Sequence, residues 1–227
     1  MKILFPLLFF TFVSAITPAV FAAESADLTV TGNVTVGSCD LNLSSSTVDF
    51  GNISIEAMMN GVFTPPQKQT MLTVSCSEAM TPQLTMTDNR ASSLDLDNNG
   101  IPASTTGAGF GLGFTDSSNT TAIGYMHIGM GVDADTGAEL GTTIDSNPGQ
   151  IIYRSNNDWQ TGTGPVRGNA HVHFAWQPKG QSTPAPVAFN TVKMPLSIWL
   201  HLNSADVLKL NTDTKIDGSV TLSLVYL

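Results

Sequence analysis

The chain has 227 residues, of which 9 are Lys or Arg and 18 are Asp or Glu; at 12% charged it carries about half the usual share for a soluble domain. Its polarity comes instead from 27 Thr, 20 Gly and many uncharged amides, the residue types of strands and turns. A net charge of −9 leaves no excess of cations to neutralise phosphates, which sets aside nucleic acids and anionic lipid surfaces as partners.

Residues 1–22 read as an export signal. Lys2 supplies the charged start, residues 3–16 an apolar run, Pro18 a break, and Val20-Phe21-Ala22 a small-residue cleavage site. Export places the two cysteines, Cys39 and Cys76, in an oxidising compartment, where they are expected to be bridged. Leu72 and Val74 point inward with Cys76, so Cys39 should meet it between neighbouring strands.

Beyond the signal, apolar residues alternate: Leu28, Val30, Val34 and Val36; Leu72, Val74 and Cys76; Leu84 and Met86; Met126, Ile128 and Met130; Val172 and Phe174; Leu196 to Leu202; and Val220, Leu222, Leu224 and Tyr226. Each run places one apolar face on a core and one polar face on solvent, the pattern of an antiparallel sandwich. Only residues 204–210 suit a helical turn. Residues 88–106 and 133–168, rich in Asn, Asp, Ser, Gly and Pro, read as long surface loops or insertions.

Several constellations carry candidate chemistry. Asp95-x-Asp97-x-Asn99-Gly100 reproduces the first half of a calcium loop, but the twelfth position is Thr106 rather than Glu, so a plain turn is the preferred reading. His171 and His173 share a strand face and could hold zinc only with a third ligand, for which His127 and His201 would have to approach through the fold. No metal and no cofactor is expected. There is no GxSxG elbow, HExxH or phosphate-binding glycine loop, so the chain reads as a non-enzyme, with a secreted hydrolase as the most distant alternative. Tyr153, Trp159 and Trp176 are the candidate exposed aromatics. Trp159, in Ser155-Asn156-Asn157-Asp158-Trp159-Gln160, could stack on a sugar ring or fold back over the sandwich.

Gly32-x-Val34 before Cys39, Val48-Asp49-Phe50-Gly51, Leu72-Thr73-Val74-Ser75-Cys76, the glycine-spaced run from Ala108 to Phe114, and a final alternating strand with penultimate Tyr226 resemble the pilins of the bacterial chaperone–usher pathway. The nearest resemblance is to pilin-like subunits of fimbrial operons catalogued as a domain of unknown function. The resemblance implies an immunoglobulin-like sandwich lacking its last strand, in residues 32–227. It also implies a groove flanked by Val220, Leu222, Leu224, Tyr226 and the Leu227 carboxylate. On the residues alone, a paired core strand is the preferred reading of the same segment.

The implied function is that of a structural fimbrial subunit, exported through the periplasm to the cell surface. Its implied partners are a periplasmic chaperone, an outer-membrane usher and other subunits. Residues 23–31 form only a short extension, with Leu28 and Val30 as possible donor-strand anchors. This favours a minor or tip-proximal position, and a tip adhesin with a carbohydrate receptor is the alternative.

Overall fold

The computed structural model describes Thr31 and residues 36–94, 109–115, 118, 120–133, 135–155, 158–161, 172–210 and 212–226. The chain divides into two units, Met1–Thr35 and Val36–Leu227, and the second contains every element that follows. Its strands are β1 (Cys39–Leu43), β2 (Lys68–Met80), β3 (Gln83–Asp88), β4 (Phe110–Gly111), β5 (Gly124–Met130), β6 (Thr143–Ile144), β7 (Asn147–Ser155), β8 (Asp158–Thr161), β9 (His173–Pro178), β10 (Phe189–Leu202) and β11 (Val220–Val225), with one short helix, α1 (Ala205–Leu208). The protein is all-β.

Every pairing is antiparallel, and the main path runs β1-β2-β10-β6-β7-β9-β3-β11. β10 is the axis of the first layer. One of its edges pairs with β2 over most of its length, while the other pairs first with β6 and then with β5. Pro195 sits where that second partner changes. Its missing N–H falls between the two ladders, while its carbonyl accepts the Gly131 N–H at 2.9 Å. A proline is therefore tolerated inside a central strand.

β3, β7, β8, β9 and β11 make the second layer, and the two-residue turn between β6 and β7 joins the layers. Leu72, Val74, Met194 and Leu196 from the first layer share one core with Leu84, Met86, Ile151 and Trp176 from the second. Trp176 is fully buried, edge-on to Phe189 at 5.4 Å. Each such side chain contributes roughly 1.5–3 kcal/mol by leaving water. The glycine-spaced run packs tightly against this core. A methyl group at Gly111 would lie 2.2 Å from the Arg90 carbonyl oxygen, so the backbones meet where only hydrogen fits.

Several expectations need correction, among them Val36, which lies in no strand and is exposed. Residues 133–168 are not one long loop: they contain β6, β7 and β8, with Ile151 and Ile152 buried. Their hairpin turn uses Asp145 and Ser146 at φ 47° and 70°. These positions usually announce themselves as Asn-Gly or Asp-Gly, so the turn is silent in the sequence. β5 is buried along its whole length rather than on one face only. Trp176 is not an exposed aromatic. Tyr153 is half-buried and packs against the core. The helical turn within residues 204–210 and the alternation of β11 are as expected, whereas β10 is buried on both faces from Met194 to Ile198, as the central strand of its layer.

Candidate functional site: an open seam between the first and last strands

The strand path ends at β1 and β11, and these two strands face each other. β1 is bonded to β2 through its even-numbered residues and their neighbours: Ser77 N–H donates to the Ser38 carbonyl and Ser44 N–H to the Met71 carbonyl, both at 2.9 Å. Antiparallel alternation then turns the backbone groups of Cys39, Leu41 and Leu43 to the other edge. On β11, Asn89 N–H donates to the Ser219 carbonyl at 3.0 Å, which fixes the register with β3 and turns Val220, Leu222 and Leu224 outward in the same way. Their side chains, like those of Cys39, Leu41 and Leu43, are half-buried against the core. Among the described residues neither strand has a second partner along this edge.

Cys39 and Cys76 are directly opposite across β1 and β2 and form a disulfide. They occupy a non-hydrogen-bonded pair, where antiparallel side chains approach most closely. At the same end, the Tyr226 hydroxyl stands in for a neighbouring strand. It accepts the Cys39 N–H at 3.0 Å and donates to the Cys39 carbonyl at 3.3 Å.

At the other end the seam widens into a cavity of about 960 Å³ between residues 47–58 and 208–216. Val48, Phe50, Ile53, Met58, Leu208 and Ile216 are among its lining. The Asp49 carboxylate accepts the Gly51 N–H at 2.8 Å, a turn that places Val48 and Phe50 on the core. Lys68 Nζ lies 5.5 Å from the Phe50 ring centre. On the facing wall, α1 ends on Lys209 in a left-handed conformation, with buried Leu208 before it. Ile55, Met59 and Val62 add an exposed apolar fringe.

An ion pair holds the approach to β11. Arg90 donates from Nε and Nη2 to the two Asp217 oxygens at 2.7 and 3.0 Å. These hydrogen bonds hold the Asp217 carboxyl below its ordinary range against the opposing effect of burial, and they hold Arg90 more firmly protonated. A depressed carboxylate pKa contributes stability that is present above the unfolded value of about 3.9 and is lost as pH falls through the folded value. Melting curves against pH should therefore show the native chain more stable than Asp217→Asn above about pH 4, with the two converging below it. Parallel curves across that window would show that the pair contributes nothing.

The remaining sequence candidates are scattered. Trp159 is half-buried on β8, with the Arg154 guanidinium 5.4 Å from its ring centre, so one face of the indole is already taken. His173 Nδ1 is 2.8 Å from Gln83 Oε1 in the second layer. His127 and His201 do approach, with ring centres 5.1 Å apart, because β5 pairs with β10 in the first layer. His201 also stacks on Tyr125 at 4.4 Å. The strands thus separate His173 from the other two. The signal, Leu28, Val30, residues 95–100, Thr106, His171 and Leu227 lie outside the described residues.

Sequence reasoning marked Tyr226 as a groove residue but missed its bond to Cys39, because no local pattern reports a contact between positions so far apart. No curated protein matches the chain. A family described as "Protein of unknown function (DUF1120)" matches residues 28–143, about half of the chain, which therefore belongs to that family.

Proposed function

We propose that this protein is a structural subunit of a chaperone–usher fimbria, exported to the cell surface, whose activity is assembly rather than catalysis. The observation that carries this reading is the seam: two strand edges with outward backbone groups and half-buried apolar side chains beneath them, ending in a large cavity of mixed apolar and polar lining. An edge of this kind pairs with an extended segment whose alternate side chains fill the space beneath. The strands alternate in direction along the path, so β1 and β11 run antiparallel. A strand laid between them would be parallel to one and antiparallel to the other. A periplasmic chaperone would supply that strand first, and a neighbouring subunit, added at the outer-membrane usher, would replace it. In this reading the short segment with Leu28 and Val30 gives the chain a minor or tip-proximal place.

Expression in a periplasm with and without a pilus chaperone tests the reading. The chain should accumulate only with the chaperone, as a one-to-one complex. Leu222→Asp and Leu224→Asp should abolish that complex, because each would bury an unpaired carboxylate. A stable, soluble monomer made without any chaperone, with the β1 and β11 edges protected from hydrogen exchange, would overturn it.

A further inference from the structure

At the middle of the strand path, away from the seam, β6 carries the sheet from β10 to β7, and a second cavity of about 270 Å³ opens there. Gly131, Gly137, Gly141 and Gly149 line it, so much of its wall is bare peptide. Into the same space come Thr142, Gln150 and Thr161, together with Glu139 and Lys179. The last two form an ion pair between segments that are distant in sequence, and their side chains are 61% and 49% exposed. An ion pair this wet is worth little by itself, so both groups can exchange each other for hydroxyls of a ligand.

The frame around them is fixed in advance. Asp133 Oδ1 accepts the N–H groups of Asp135 and Thr136 at 3.0 and 2.7 Å. The Asp133 N–H reaches the Ala138 carbonyl at 2.7 Å, and Val132 bridges to Glu139. On the other side, Lys179 N–H donates to the Pro148 carbonyl at 3.1 Å, and Gly180 N–H to Gln150 Oε1 at 3.3 Å. Groups held before binding lose little freedom on binding.

Size and chemistry narrow the ligand. The cavity lies just below the roughly 300–1,000 Å³ of small-molecule sites, which suits one ring and not a chain. Its two charges cancel, which disfavours an ion. Adjacent hydroxyls, each both donor and acceptor, suit a carboxylate beside an ammonium. No aromatic ring is among the described lining residues, so recognition rests on hydrogen bonds and the affinity should be millimolar. We propose that this cavity binds a neutral monosaccharide unit, with Glu139 and Lys179 taking neighbouring hydroxyls and Gln150, Thr142 or Thr161 a third. The proposal goes beyond the assembly reading and stands whether or not the seam accepts a strand.

Amide chemical-shift titrations of the full chain with glucose, galactose, mannose and N-acetylglucosamine, and with free glycine as a zwitterion, test it. At least one sugar should give saturable shifts at Gly141, Gln150 and Gly180. Glu139→Gln and Lys179→Met, both at exposed positions and checked for an unchanged melting temperature, should each weaken that binding about tenfold or more. Lys193→Met should leave it unchanged. Saturation by glycine alone, no saturable shift with any of the sugars, or sugar binding that survives both variants would each overturn the assignment.

Discussion

Replacing Cys39 and Cys76 together by Ser should lower the stability of the folded chain by about 4 kcal/mol, on the loop-entropy estimate for cysteines separated by 37 positions. The loss should appear as a lower urea midpoint with a similar or steeper slope, because the reduced unfolded chain exposes at least as much surface. The effect should concentrate at β1. This strand has five residues and only β2 as a ladder partner among the described elements, so the disulfide holds a short strand that its own hydrogen bonds hold poorly. Labelling the unfolded, unreduced native chain should find no reactive thiol. Two reactive thiols, or a double variant as stable as the parent, would show that the bridge does not form or does not matter.

Gly124→Ala should be the most damaging single methyl addition in the first layer. Gly124 has φ 152°, and its added Cβ would sit 2.0 Å from the His201 carbonyl oxygen, a backbone atom held in the β5–β10 ladder. Strain at such a φ and overpacking against an immovable neighbour each cost about 1–3 kcal/mol, so a combined loss of about 3–5 kcal/mol is expected. Gly61→Ala separates the two causes. Gly61 has φ 123° with nothing within 4 Å of the added carbon, so only the conformational cost, about 1 kcal/mol, should remain. Equal losses in the two variants, measured by denaturant unfolding, would contradict the packing argument.

The elements that were legible from sequence are those whose apolar residues recur at every second position. Leu72 and Val74, Leu196 to Leu202 and Val220 to Leu224 each follow this pattern, and each lies in a strand. The disulfide was legible because the chain has only two cysteines. β7 was not, since Asn147, Pro148 and Gly149 open it and an Asp-Ser turn precedes it, so its apolar centre at Ile151 and Ile152 looked like an accident within a loop. Trp176 was misread because polar Gln177, Pro178 and Lys179 follow it, yet it continues the Val172 and Phe174 alternation and β9 turns it into the core. The seam itself has no local signature. Cys39 and Tyr226 lie 187 positions apart, and only the order of strands brings their edges together.

That separation also orders events in time. β1 can pair with β2 as soon as residue 76 is available, whereas β11 reaches β3 across more than half the chain. Closing so long a loop is entropically expensive and slow, and contacts of this kind dominate the folding barrier of β proteins. The second wall of the seam cannot exist until Val220–Val225 are available. Until then Leu84 and Met86 on β3 lack the strand that pairs beside them, and the interior stands open at the seam. The interval before β11 docks is therefore when the chain is most exposed to association with other chains.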